Sequence, residues 1–261
     1  MKFSIVIAGL IASLFTAAPA QAATQSFNLQ LVSLCEGAAV CEEPGVDFGY
    51  LQSIYSQIDV VVNVLSTVID NTLILERDSS GNIIPSQTNV NGQLIGGALL
   101  QFTQSFVQTS AAGSFFDIDA NTIYMGITGD LLSPTLGVAF VDAPVVPFGI
   151  VENTAALIGG SAAAERFTTA VLAHEIGHVL GGEHEDAVLV TDLLQASVNQ
   201  SFFTNETYLP TFSTVNANQI IDSDLLFLTP VQAVPLPASF PVLFGGFALL
   251  AGLRARRTSR A

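Results

Sequence analysis

Residues 174–184 have the sequence HEIGHVLGGEH, which places three imidazoles and a carboxylate in one short segment. On an α-helix, positions i and i+4 lie on one face, so His174 and His178 would point together at one ion. Gly181 can take the left-handed conformation that ends a helix, and the turn would bring His184 round as a third ligand. Three protein ligands leave one tetrahedral position open, as in catalytic rather than structural zinc sites.

Glu175 follows the first histidine directly and would project from an adjacent part of the helix face. Its carboxylate can there take a proton from a water molecule at the metal without serving as a ligand, the role of glutamate in the HExxH pattern. The chain has only three histidines, and all of them lie in this segment. This concentration argues against the ordinary alternative, in which a histidine is a core or surface residue. The segment therefore predicts one catalytic Zn²⁺.

The longer pattern HExxHxxGxxH is complete, and through it the chain resembles the metzincin superfamily of zinc endopeptidases. The resemblance is strongest over residues 122–184 and is nearest the reprolysin-like and matrixin-like branches. It implies an α/β fold with a twisted mixed sheet, an antiparallel edge strand and an active-site helix that carries HExxH. In that family the edge strand pairs with the substrate backbone, and the corresponding residues here are Leu136, Gly137, Val138, Ala139, Phe140 and Val141. A proline at position 138 would then remove a donor and weaken the binding of a protein or peptide substrate.

One departure from the family concerns the methionine that metzincins carry in a tight turn beneath the metal. This chain has no methionine after Met125, and Leu194 stands at the best positional counterpart. Leucine has a similar volume, so the resemblance implies that Leu194 forms the apolar floor of the site. The alternative is that Leu194 is an ordinary core residue on a helix and that no such turn exists. The missing methionine bears on which metzincin subfamily the chain resembles more than on which residues bind the metal.

Hydrophobic periodicity indicates a body in which strands alternate with helices, the pattern of an α/β fold. Strands are predicted at residues 26–34, 59–69, 122–127, 136–142 and 148–152, and helices at 47–57, 93–108, 162–180 and 216–228. Turn residues predict a loop or hairpin at 76–92. We expect one peptidase domain at residues 23–230, between two targeting segments.

The first targeting segment, residues 1–22, contains Lys2, an apolar run and a small-x-small site, which predicts a secretory signal peptide removed by signal peptidase. The second, residues 231–261, contains VPLPA, about fifteen apolar residues and four arginines. It resembles VPLPA-type bacterial sorting signals, which implies transient membrane association and cleavage by an exosortase-like protease. The alternatives are a short N-terminal anchor and a plain tail anchor. Both segments predict an exported protein at the cell surface, in the outer membrane or outside the cell.

The body between these segments is strongly acidic. It keeps two of the seven basic residues, Arg77 and Arg166, against all 22 acidic ones, a formal net charge of 2 − 22 = −20. Such a charge argues against nucleic-acid binding, which needs a basic patch. It suits a saline environment or bound Ca²⁺, and composition does not separate these explanations.

Cys35 and Cys41 lie close together in a chain with an export signal, so a small local disulfide is expected. The alternative is that one thiolate caps the zinc in a latent form, as propeptide cysteines do in some metzincins. The acids Glu183, Glu185 and Asp186 surround the third histidine, where they would either orient the imidazoles or remain solvated.

Three functions are compatible with these residues. The leading interpretation is a zinc endopeptidase, because the intact Glu175 has no role in mere zinc binding. The second is a zinc-binding pseudoenzyme or adhesive surface or matrix protein, suggested by the missing methionine and the sorting tail. The third is a zinc hydrolase that acts on a bond other than a peptide, against which a free edge strand would argue.

Overall fold

The computed structural model describes residues 23–34, 45–70, 72–90, 93–111, 121–129, 131, 135–139, 147–154, 161–186, 189, 191–196, 200–205 and 207–230. Backbone contacts separate a unit of Thr24–Thr229 from a unit of Met1–Ala23 with Pro230–Ala261, and the fold below is that of the first. The predicted signal peptide and sorting tail, Cys35, Cys41, Phe140 and Val141 lie outside the described residues.

A mixed sheet forms the centre of the fold. Its strands are β1 (Ala23–Leu34), β2 (Val60–Val64), β3 (Val68–Asp70), β6 (Thr122–Thr128), β7 (Gly137–Ala139), β8 (Phe148–Glu152) and β9 (Phe227–Pro230), in the order β2-β1-β6-β8-β7 with β3 and β9 also paired to β1. The pairs of β1 with β2, β3 and β6 are parallel, as is β6 with β8, whereas β7 runs antiparallel to β8. Strands β4 (Gln87–Thr88) and β5 (Leu94–Gly96) form a separate antiparallel pair. The predicted α/β class with a mixed sheet is confirmed.

Side chains alternate along each strand, so the sheet presents apolar side chains on both faces, and helices pack against both. The helices are α1 (Phe48–Tyr55), α2 (Ala98–Ala111), α3 (Ala162–Val179) and α4 (Thr214–Ile221). Phe27 and Ile123 share one core with α1 and α3, whereas Tyr124 and Ile150 share a second core with residues of α2. Strand β6 is buried at every position, as expected of a central strand with helices on both sides.

Three predicted elements differ from the structure. The single strand predicted at 59–69 is two strands, which pair with β1 at successive registers. The helix predicted from residue 93 begins at Ala98, because β5 pairs with β4 and Gly97 turns the chain at φ 88°. The closing helix predicted at 216–228 ends at Ile221, and residues Phe227–Pro230 pair with β1 instead. In each case tertiary pairing prevails over local periodicity.

Within the described part of the chain, no helix is both long enough and apolar enough to cross a membrane. The apolar segments predicted to contact the membrane, at both ends of the chain, lie outside that part.

Candidate metal centre and active site

Helix α3 holds the first half of the HEIGHVLGGEH segment in a fixed place. Its N-terminus is capped by Ser161, whose side chain accepts a hydrogen bond from the Ala164 N–H. The Tyr55 hydroxyl donates to the carbonyl oxygen of Ala173 at 2.8 Å, which ties the helix to α1 one residue before His174. The helix is buried along most of its length, so its histidine and glutamate side chains start from a rigid backbone.

A tight turn after α3 brings the third histidine back towards the first two. Gly181 has φ 98°, the left-handed region that favours glycine. The N–H of Gly181 donates to the His178 carbonyl at 2.9 Å, and the N–H of Gly182 donates to the Gly177 carbonyl at 2.9 Å. His184 then begins a short 3₁₀ turn, His184–Asp186.

The three imidazoles converge through one nitrogen each. His174 Nε2 lies 3.1 Å from both His178 Nε2 and His184 Nε2, and the last two nitrogens are 2.9 Å apart. Zn–N bonds of about 2.0–2.1 Å at tetrahedral angles place nitrogen ligands about 3.3 Å apart. The observed triangle is slightly tighter than that, and its donor set of three neutral imidazoles suits Zn²⁺. Among the described residues, these three histidines form the cluster whose ligand atoms lie close enough together to hold one metal ion.

Backbone carbonyls orient two of the rings. His174 Nδ1–H donates to the Leu193 carbonyl at 2.6 Å, and His178 Nδ1–H donates to the Gly182 carbonyl at 2.8 Å. Since Nδ1 carries the proton, each Nε2 keeps its lone pair for the metal. Acidic side chains do not have this role for these two rings, and the Asp186 carboxylate instead accepts from Gln219 Nε2 at 3.0 Å.

Burial tunes the charge of the site. Burial first, and then the neighbouring His178, lower the pKa of His174 to about 3, although the hydrogen bond to the Leu193 carbonyl acts in the opposite direction. Burial also lowers the pKa of His178. Both rings are therefore neutral at pH 7, as metal ligands must be. Burial raises the pKa of the Glu175 carboxyl group to about 8, and a nearby divalent cation would oppose that shift by favouring the carboxylate.

An open cleft of about 560 Å³ lies over the three nitrogens. Helix α3 and the following turn form one wall, and β7 forms the other. Its described lining residues are Gly137, Val138, Ala139, His174, Glu175, His178, Gly182, Glu183 and His184. The cleft thus brings Glu175, the three histidines and three of the predicted substrate-binding residues into one place. Leu136 precedes the strand, and its carbonyl accepts a hydrogen bond from the Glu152 N–H at 2.8 Å.

The register of β7 decides which of its backbone groups face outward. The hydrogen bond between Leu136 and Glu152 makes this pair a bonded one, and bonded and non-bonded pairs alternate along an antiparallel ladder. Val138, opposite Ile150, is therefore the next bonded residue, whereas the backbone groups of Gly137 and Ala139 point away from β8. The prediction that proline at 138 removes a substrate-facing donor is wrong, because that N–H faces β8.

Leu194 packs against the backbone of the segment that carries the three histidines, at Gly177 and Gly182. It is fully buried, in a turn rather than on a helix. Its side chain fills the space beside two glycines: a β-carbon on Gly177 would lie 2.7 Å from Leu194 Cδ2, and one on Gly182 would overlap Leu194 Cδ1. The preceding residue supplies the carbonyl that orients His174. The turn thus contacts both the helix between the first two histidines and the chain that leads to the third.

Sequence reasoning missed the supporting groups of this site. Gly177 and Gly182 make room for Leu194, and the carbonyls of Gly182 and Leu193 hold the rings. The pair of adjacent glycines in HVLGGEH was the available signal for close packing. Backbone carbonyls have no such signal, because every residue has one.

No protein-family model matches the chain, and no curated protein is significantly similar to it in sequence. Solved structures that resemble its fold distantly include one metalloproteinase and two archaemetzincins. Metalloproteinase-II from Bacteroides fragilis has 16% identity and a TM-score of 0.43, over 76% of this chain and 53% of that one, so this chain spans about half its length. Archaemetzincin from Methanopyrus kandleri has 15% identity and a TM-score of 0.41, over 75% of this chain and 94% of that one. Archaemetzincin from Archaeoglobus fulgidus, complexed with malonate, has 15% identity and a TM-score of 0.39, over 74% of this chain and 99% of that one.

Proposed function

We propose that this protein is a zinc-dependent endopeptidase. The observation that carries the proposal is the convergence of three imidazole nitrogens within 3.1 Å of one another, beside a buried carboxylate that is not one of the ligands. A purely structural zinc site has four protein ligands and no need of Glu175. The open cleft over the nitrogens gives a substrate access to the remaining position.

His174, His178 and His184 would hold the ion. When bound, Zn²⁺ would act as a Lewis acid that polarises the scissile carbonyl and lowers the pKa of a water molecule. Glu175 accepts a proton as the water oxygen attacks the carbonyl carbon, and transfers that proton to the leaving nitrogen as the C–N bond breaks. Burial raises the pKa of this carboxyl group, which helps it to hold the proton between the two steps, while a bound cation would favour the ionised form that the first step needs.

The edge strand β7 supplies the binding surface for an extended peptide. Gly137 and Ala139 present outward N–H and C=O groups, which a substrate strand can satisfy by antiparallel or parallel pairing. The strand borders the same cleft as the histidines, so a paired peptide passes the metal site with a backbone carbonyl in reach. This arrangement favours a peptide bond over other hydrolysable bonds.

Metal analysis together with cleavage of an unbiased peptide library tests the proposal. We expect one zinc per chain, cleavage at internal bonds, loss of cleavage on chelation and recovery with added Zn²⁺. Glu175→Gln should keep the zinc and lose most turnover, since it retains the shape of the side chain without its basicity. Stoichiometric zinc with no hydrolysis by the parent protein would favour the pseudoenzyme or adhesive alternative.

The ends of the chain support a proposal about location. Signal peptidase removes residues up to about Ala22, and an exosortase-like protease cuts near the VPLPA motif after transient membrane association. The mature body would then remain at the surface or leave the cell. Mass spectrometry of the mature protein tests both cuts, and a chain that still ends at Ala261 would favour a tail anchor.

A further inference from the structure

The glycine at the start of β7 is not required by its own backbone. Among the described residues, the glycines with positive φ are Gly81, Gly97 and Gly181. Gly137 is not one of them, and it lies in a regular antiparallel ladder opposite Val151. Glycine weakens a strand interior because it offers no side chain to pack, so its presence here calls for a close approach by another group.

The group that approaches is Glu175. A β-carbon added to Gly137 would lie 2.7 Å from both Glu175 Cγ and Oε1, and 2.9 Å from Cδ. Such separations are well inside the ordinary contact distance of about 3.5–4.0 Å between carbon atoms. The glutamate has little freedom to withdraw, because it is 6% exposed and sits inside helix α3. The bare Cα of the edge strand is thus the surface on which this side chain rests.

We propose that Gly137 is a positioning residue for the general base. By lacking a side chain, it leaves the space that holds the Glu175 carboxylate beside the substrate-binding edge. This inference rests on the proposed function, in which that carboxylate moves a proton. Gly137 also presents its outward N–H and C=O along the same edge, so one residue determines the distance between a paired peptide backbone and the base.

The kinetic test is Gly137→Ala. Its β-carbon should displace the carboxylate and lower kcat about ten- to a hundredfold, the range expected when a catalytic group shifts by about 1 Å. KM should change less than about threefold and zinc content should stay at one per chain, because the backbone donor and the three histidines remain. The matched control is Gly129→Ala, since an added β-carbon there meets no described atom within 4 Å. An unchanged kcat, or a rise in KM alone, would overturn the proposal.

A second measurement does not depend on activity. Glu175→Ala removes the three atoms that the new β-carbon would meet, so the Tm change caused by Gly137→Ala should disappear in that background. In the parent background we expect Tm to fall by about 3 °C or more, from overpacking in a domain of this size. An equal Tm change in both backgrounds, zero included, would overturn the assigned contact. If the parent cleaves no peptide, the proposed function fails, while this cycle still decides whether Gly137 makes room for the Glu175 side chain.

Discussion

Truncation of Leu194 to alanine should damage the metal site from behind. The side chain is fully buried and fills the space beside Gly177 and Gly182, neither of which has a side chain that could move into the vacancy. Buried leucine-to-alanine changes cost about 2.7–5 kcal/mol, more where the cavity stays open. We therefore expect a loss of about 3–4 kcal/mol. In a domain of 150–250 residues each kcal/mol lowers Tm by about 2–4 °C, so Tm should fall by roughly 10 °C.

The same cavity should weaken zinc binding. Gly182 supplies the carbonyl that orients His178, and the chain runs on from there to His184. Loss of groups that orient metal ligands typically costs 10- to 100-fold in affinity. A competition titration with a chelator should show the zinc Kd of Leu194→Ala rising at least about tenfold. Leu194→Met should stay close to the parent in both Tm and Kd, because the exchange conserves volume.

Leu29→Ala is the matched control. Leu29 is also fully buried, but it lies on β1 in the core between the sheet and helices α1 and α3. The Leu29→Ala variant should lower Tm to a similar extent and leave the zinc Kd within about threefold of the parent value. If Leu194→Ala behaves like this control, with a lower Tm and an unchanged Kd, Leu194 is a core residue and not the floor of the site.

Further outcomes follow from the edge strand, the third ligand and the cleft. Ala139→Pro removes an outward N–H and should raise KM for extended peptides about three- to tenfold, whereas Val138→Pro removes an inward N–H and should mainly lower Tm. Steady-state kinetics and thermal unfolding measure both, and equal KM values for Ala139→Pro and the parent would exclude this edge. His184→Ala should lose most of its zinc in metal analysis, and full zinc with full activity would refute the ligand assignment. Glu183 is exposed and lines the cleft, so Glu183→Lys should shift the preference between lysine- and glutamate-containing peptides about two- to fivefold towards glutamate. An unchanged ratio would place Glu183 outside the binding surface.

The main elements could be predicted because their signals are local. Strand β8 was predicted with its observed bounds, and helix α3 differs from its prediction by one residue at its end. Two strands could not be predicted in this way. The strand at 94–96 depends on its pairing with β4 and on the turn at Gly97, and the strand at 227–230 depends on β1, which is distant in sequence. A short apolar run is compatible with helix and strand alike until its partner is known.

The sequence by itself determined the chemical identity of the candidate site. The helical repeat places His174 and His178 on one face, and Gly181 predicts the turn that brings His184 back to them. Only the tertiary structure decided how the site is supported and approached. The structure shows that the carbonyls of Leu193 and Gly182 orient the rings of His174 and His178. It also shows that the backbone N–H of Val138 faces β8. The physical reason is that carbonyls are present in every residue and that ladder register depends on the partner strand, so neither is encoded in local residue types.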